Sequence, residues 1–348
     1  MKQGEKIKLG ISIGDLNGIG SEVILRTFED ERMLELCTPV IFASGKTMSV
    51  LKKLHGSKVD FHGVENPTEV VDGKINVVNV WKESVQINLG QEEKTAGQYA
   101  FKSLKAATHA LKIGEVDVLV TAPINKHNIQ SEEFNFPGHT DYLGVELGGE
   151  TLMLMVTNEL KVGLFTDHVA VKDVAATITP ELIKKKIDII HHSLIQDFRI
   201  QQPKIAVLGI NPHSGDNGVI GKEDQEILTP TLEAIREEGK IVLGPYAADS
   251  FFGTGAYKDF DAVMAAYHDQ GLIPFKTISF GEGVNYTAGL QKIRTSPDHG
   301  TAYSIAGKGK ADFRSFREAI YLALDIFRNR EEYKELTKNV LKKQGKKI

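Results

Sequence analysis

The apolar residues of this chain fall in short unbroken runs, and that pattern limits its fold more than any other feature. The runs are "KIKLGISI" (6–13), "PVIFAS" (39–44), "VDVLVTA" (116–122), "TLMLMV" (151–156), "VGLFTD" (162–167), "KIAVLGI" (204–210) and "AVMAAY" (262–267). Several are apolar throughout instead of alternating. Such strands must be covered on both faces, as in a parallel sheet between helix layers. Between them lie amphipathic stretches of helical period: "SEVILRTFED", "AGQYAFKSLKAATHALKIG", "PELIKKKIDIIHHSLIQDF" and "KEDQEILTPTLEAIREEGK". Thr179 and Pro180 suit the N-cap and first turn of the third. A last helix is predicted over 314–342. Strand and helix in alternation predict an α/β fold with a mostly parallel sheet. A length of 348 residues allows one large or two medium domains, and no repeat or Pro/Ser-rich linker marks a boundary.

Composition narrows the function classes. Net charge is −4 with both signs mixed along the chain, which argues against nucleic acid as a partner. The basic tail "KNVLKKQGKKI" reads as a solvated helix end, where cations suit the helix dipole. Cys37 is the only cysteine, so an internal disulfide and a cysteine metal site are excluded. The first residues lack the apolar run of a signal peptide, and no stretch approaches a membrane span, so a cytoplasmic protein with no membrane partner is expected.

The chemistry-bearing residues gather where strands end, the place where α/β sheets bind ligands. His168, His213 and His268 each follow an apolar run, and three neutral imidazoles can hold a divalent cation with positions left open. Polar loop histidines are the plainer alternative. His191 and His192 sit mid-helix and read as packing, and His55 and His127 have no supporting context. In "FPGHTDYLG" (136–144), His139 and Thr140 open a helix, where free amides suit an anion. The segment 273–312 is Gly-, Thr- and Ser-rich and is expected to be one long irregular loop. It carries Lys276, Asn285 and Arg294, of which Lys and Arg suit phosphate or carboxylate. The opening "SIGDLNGIGSE" (12–22) fits neither nucleotide-loop template. No Lys follows Gly20, and the third glycine of G-x-G-x-x-G is missing.

Taken together, "GDLNGIGSE", "TAPINK", "GHTDYLG", "HVAVKDV", "INPHSGDNG", "GPYAADSFF", "AYHDQGLIPFK", "GVNYTAGL" and "IRTSPDHGTAYSIAGKGKAD" resemble the 4-hydroxythreonine-4-phosphate dehydrogenase family of vitamin B6 (pyridoxal phosphate, pyridoxine) biosynthesis. The order matches over almost the whole chain. The opening motif is also similar to that of isopropylmalate and isocitrate dehydrogenases. The resemblance implies an α/β, two-domain isopropylmalate dehydrogenase-like α/β/α fold with a cleft between domains. Residues 1–135 and 295–348 would form the first domain, and 136–294 the second, with metal ligands and dimer interface. It implies a homodimer with a shared active site. It places a divalent metal (Zn, Mg, Mn or Co) on His168, His213 and His268, and substrate on His139, Thr140, Lys276, Asn285 and Arg294. The cofactor, NAD or NADP, would meet Asp15, His299, Gly300 and Thr301.

The implied activity is a metal-dependent, NAD(P)-dependent oxidation of a CH–OH group in a phosphorylated hydroxy acid. For 4-phosphooxy-L-threonine the product is 2-amino-3-oxo-4-phosphooxybutanoate, which decarboxylates to 3-amino-2-oxopropyl phosphate. The general base is left among Lys126, Asp249 and a metal-bound water. Leu16, Asn17 and Ser21 depart from the family's opening motif, Ser304 replaces an Asp, and "SGDNG" replaces a more Gly-rich run. Threonate or erythronate 4-phosphate is the alternative substrate. An isomerase or lyase without NAD, or a silent sugar-phosphate binding protein, are rivals from other classes.

Overall fold

The structure is a computed structural model and describes residues 6–279 and 281–339. Its strands are β1 (Ile7–Ser12), β2 (Cys37–Ala43), β3 (Phe61–Val64), β4 (Ile75–Asn79), β5 (Val118–Thr121), β6 (Leu152–Val156), β7 (Lys161–Leu164), β8 (Lys204–Leu208), β9 (Ile241–Tyr246), β10 (Ala262–Ala265), β11 (Val284–Ala288) and β12 (Ile293–Pro297). They form one 12-stranded sheet in the order β3-β4-β2-β1-β5-β12-β11-β6-β7-β10-β8-β9. All neighbours are parallel except at the centre, where β11 runs antiparallel to β12 and to β6, and β6 to β7. The α/β class expected from the apolar runs is the one observed.

Each of the apolar runs contains a strand. β2, β5, β6 and β10 are buried at every residue. Helices cover both faces, which explains why their sequences do not alternate. The helices are α1 (Gly20–Phe28), α2 (Met33–Leu36), α3 (Gly45–Leu54), α4 (Lys94–Ile113), α5 (His139–Leu147), α6 (Val174–Thr177), α7 (Pro180–Gln196), α8 (Thr229–Glu237), α9 (Ala248–Gly253), α10 (His268–Ile278) and α11 (Arg314–Thr337). The Thr179 hydroxyl caps α7 by accepting from the Leu182 amide at 3.2 Å. The predicted helix over 222–240 is split, a π-turn at Asp224–Leu228 preceding α8. Pro230 lies in the first turn of α8 and has no amide to donate, so the bonds before it are redistributed.

The segment 273–312 corrects the sequence expectation. It is not one irregular loop, because α10, β11 and β12 occupy much of it. Its strands escape a reading by apolarity because they carry Asn285, Thr287, Arg294 and Thr295 among their buried or half-buried positions. The basic tail falls mostly outside the described residues; α11 ends at Thr337. Among the described residues no helix is long and apolar enough to cross a membrane.

The opening turn is packed, not free. Gly14 has φ +72°, and a Cβ there would lie 2.4 Å from the Pro123 carbonyl. Gly18 lies against Thr301, where a Cβ would come within 3.0 Å. Only glycine fits both positions, because one needs the left-handed conformation and the other a close backbone approach. On α1, Glu22 accepts from the Ala311 amide at 3.0 Å and Arg26 donates to the Ala311 carbonyl at 2.5 Å. The turn and the first helix thus clamp the 299–312 segment against the start of the chain.

Candidate active site

The sheet centre, where β5, β12, β11 and β6 lie side by side, carries the polar side chains that apolar strands lack. Arg294 projects from β12 and is 1% exposed. Its Nε and one terminal nitrogen donate to the Thr121 hydroxyl of β5 at 3.1 and 2.6 Å, and the other terminal nitrogen donates to the Thr287 hydroxyl of β11 at 3.1 Å. Among the described residues no carboxylate pairs with it. Burial alone pulls its guanidinium down to about 9. An oriented, uncompensated buried cation is a receptor for an anion, because isolated buried charge is otherwise very costly.

Arg294 lines a cleft of about 230 Å3 with Lys126, His139, Thr140, His168, His268, Lys276, Asn285, His299 and Gly300. The structure therefore brings every expected substrate residue into one place. Lys276 donates to the Asp298 carbonyl at 3.0 Å, and Lys126 Nζ lies 3.1 Å from His168 Nε2. Buried His139 Nε2, Asn285 Oδ1 and His299 Nε2 have no hydrogen-bond partner among the described residues. Buried polar atoms are normally paired, so these three point to a ligand. His299 Nδ1 lies 3.1 Å from the Gly300 carbonyl, which can only accept, so Nδ1 carries the proton and Nε2 is a bare acceptor. Larger clefts of about 590 and 750 Å3 run along α11 and α4. Neither is lined by any of the unpartnered buried atoms, so volume is the weaker guide here.

His139 is held neutral: burial, then Arg294, then Lys126 push its pKa well below the usual 6.5. Burial also lowers His299 and His168. A base whose folded pKa is depressed takes up its proton more readily when unfolded. Stability is therefore full above about pH 6.5 and falls as the pH drops below it. Melting temperature is expected to decline from pH 7 to pH 5, and His139→Asn is expected to flatten that decline. An identical slope in the variant contradicts this.

Several expected residues lie elsewhere. His168 and His268 face each other with ring centroids 6.1 Å apart, but His213 is exposed and does not line the cleft. Among the described residues no group of three His, Cys, Asp or Glu could hold a metal ion. His213 opens a run of positive φ that continues through Gly218, so the chain coils left-handed there. The buried Asp224 carboxylate holds that loop by accepting from the amides of Ile210 and Asn211 at 2.7 and 2.9 Å. Asp249 is exposed on α9 and does not line the cleft, whereas Lys126 does. Asp15 is 1% exposed, accepts from three internal donors and does not line the cleft. Thr301 packs on Gly18 outside the cleft, while His299 and Gly300 line it. Thr121 and Thr287 were not singled out in the sequence; a hydroxyl closing an apolar strand, as in "VDVLVTA", was the available signal. His55, which had no context, lies 2.9 Å from the Ser21 hydroxyl, and His127 pairs with Glu92.

A mixed α/β sheet with a cleft at its centre, lined by the buried Arg294 and by two lysines, is the arrangement of an α/β enzyme. The chain belongs to the pyridoxal phosphate biosynthetic protein PdxA family, whose model matches residues 35–323. It is 50% identical over 341 residues to a 4-hydroxythreonine-4-phosphate dehydrogenase of Bacteroides thetaiotaomicron, covering 97% of this chain and 94% of the relative. It is 37% identical to a D-threonate 4-phosphate dehydrogenase of Cupriavidus necator, covering 90% and 95%. The crystal structure of 4-hydroxythreonine-4-phosphate dehydrogenase from Klebsiella pneumoniae is similar with a TM-score of 0.80, at 32% identity and 94% and 99% coverage.

Proposed function

We propose that this chain oxidises the C3 hydroxyl of 4-phosphooxy-L-threonine with NAD, giving 2-amino-3-oxo-4-phosphooxybutanoate, which loses CO2 to form 3-amino-2-oxopropyl phosphate on the way to pyridoxal 5'-phosphate. The observation that carries this reading is the buried, unpaired Arg294 in a cleft with Lys276. A substrate with a phosphate at one end and a carboxylate at the other supplies the missing negative charge. Family membership and the half-identical relative support the same substrate.

Arg294 and Lys276 hold the anionic ends, the guanidinium by its remaining donors and the ammonium as a point charge. His139 and Asn285 present acceptors to the hydroxyl and amino groups between them. Lys126, with Nζ neutral, takes the hydroxyl proton. NAD, when bound, would supply the acceptor for the C3 hydride, and His299 and Gly300, which line the cleft, would hold it. A divalent metal on His168 and His268 would add Lewis-acid stabilisation of the developing alkoxide. Within one chain that donor set is incomplete, and His213 from a second copy would complete it. The rigid, outward-facing 211–217 loop, followed by Val219 at 82% exposure, supports a homodimer with a shared site. The strand order also supports two lobes, since β11 and β6 to β10 fall within 136–294 and the other strands, except the start of β12, outside it.

D-threonate 4-phosphate is the second reading, favoured by the relative from Cupriavidus necator. NADH formation with the two substrates in parallel, with and without a chelator, tests both. NADH from neither substrate contradicts both. Full turnover after chelation and gel filtration contradicts the metal.

A further inference from the structure

Around the cleft, three neighbouring strands end in adjoining loops, two of which carry residues that line it. β1 leads to Asp15, β5 to Lys126, and β12 to His299 and Gly300. The Asp15 carboxylate joins all three. One oxygen accepts from the Asn17 amide at 2.9 Å and closes its own turn. The other accepts from Asn128 Nδ2 at 2.7 Å and from the Tyr303 hydroxyl at 2.9 Å. Main-chain bonds run alongside: the Asp15 amide donates to the Pro123 carbonyl at 2.9 Å, and the Ile19 amide to the Thr301 carbonyl at 3.0 Å.

The surroundings fix Asn128 in turn. Its main-chain carbonyl sits so close to Gly97 of α4 that a Cβ there would approach within 2.2 Å. Its side-chain amide also donates to the Glu93 carbonyl at 3.1 Å. The Asn125–Asn128 turn is closed by the Asn125 side chain, which accepts from the amides of His127 and Asn128 at 2.8 and 3.0 Å. Lys126 lies inside that turn. A shift of Asn128 toward or away from Asp15 therefore carries Lys126 with it, and a shift of Tyr303 carries the His299 side of the cleft.

No cation pairs with Asp15 among the described residues. Only neutral donors satisfy it, so its bonds are directional and its geometry is set by their number. A carboxylate used as bulk structural charge would gain most from a salt bridge, whereas this one takes a donor from each loop it must align.

We infer that Asp15 is a positioning residue for this site: its carboxylate sets the spacing between the Lys126 loop and the His299 loop, with Asn128 and Tyr303 as its two arms. The inference rests on the cleft being the reaction site. It replaces the expectation that Asp15 touches the cofactor.

Two substitutions test it. Tyr303→Phe removes one arm and keeps the ring. Asp15→Asn places an amide nitrogen against a donor whichever way it is turned. Tyr303→Phe is expected to lower kcat about tenfold, since a misplacement of roughly 1 Å costs on the order of a hundredfold. The KM for 4-phosphooxy-L-threonine should stay within about twofold, because Arg294 and its threonines are untouched. Hydrogen exchange of the substrate-free protein should speed up in 123–128 and 298–303 together, in both variants. A kcat equal to that of the parent in Tyr303→Phe, or exchange that rises in one loop alone, overturns the inference. If the parent protein does not turn over this substrate, the reaction is wrong, and the exchange comparison, which needs no substrate, still decides the junction.

Discussion

Replacing Arg294 by Ala is expected to lower kcat/KM for the phosphorylated hydroxy acid by roughly a hundredfold to a thousandfold. Truncating one member of a buried, hydrogen-bonded charge pair costs about 2–5 kcal/mol, and about 1.4 kcal/mol is tenfold. Among the described residues Arg294 has only hydroxyl partners, Thr121 and Thr287, so the charge pair forms when an anion enters. The loss should therefore fall on catalysis and binding much more than on folding. Removing an uncompensated buried cation offsets part of the packing lost with its side chain. Arg294→Lys should sit between, because an ammonium keeps the charge and loses the planar fork that the two threonines orient. Steady-state kinetics beside a thermal melt separates the outcomes. Parent-like kcat/KM in Arg294→Ala contradicts its role, as does a loss of activity that merely follows unfolding.

The second large effect is on stability, far from the cleft. Asp197 at the end of α7 accepts from Arg330 of α11 at 2.7 Å and from the Tyr286 hydroxyl of β11 at 2.5 Å. Arg330 also donates to the Tyr286 oxygen at 2.9 Å and to the Leu290 and Gln291 carbonyls at 3.1 and 2.9 Å. Side-chain exposures of Arg330 and Asp197 are 9% and 1%. The network joins a helix on the 136–294 side of the sheet to the last helix described. Asp197→Ala leaves the guanidinium buried without its counter-ion and should cost about 3–5 kcal/mol. With an unfolding entropy of about 2.1 cal/mol/K per residue, that is a fall in Tm of roughly 5 °C. The double variant Asp197→Ala, Arg330→Met should recover most of the loss, because neither charge is left stranded. A double variant as unstable as the sum of the two single variants contradicts this account.

Much of the fold was legible because buried parallel strands write themselves as unbroken apolar runs. The strands that were missed have particular reasons. β3 is short and carries His62 and Gly63. β4 includes the buried Asn76, whose amide reaches the carbonyls of Pro39, Val71 and Lys74 at 3.2, 3.0 and 2.9 Å, so a polar letter hides a satisfied core position. β9 is an edge strand with Ile241 and Leu243 partly exposed and Pro245 within it. β11 and β12 bear the cleft's own polar residues.

The site was legible by resemblance to the extent that His139, Thr140, Lys276, Asn285 and Arg294 share one cleft. Sequence order could not show that His213 lies outside it, at the start of six consecutive positive φ values. Nor could it show that Asp15 is already saturated. "SIGDLNGIGSE" cradles a loop of its own chain, with Ser21 and Asn17 bonded internally to His55 and to Glu93.

The central claim is the oxidation of a four-carbon hydroxy acid phosphate, and the appearance of NADH absorbance tests it most directly. Purified protein with NAD and a divalent cation is expected to form NADH with 4-phosphooxy-L-threonine, faster than with D-threonate 4-phosphate, and to release 3-amino-2-oxopropyl phosphate. Absence of NADH with both substrates, under conditions where the protein is folded and metal-supplied, contradicts it.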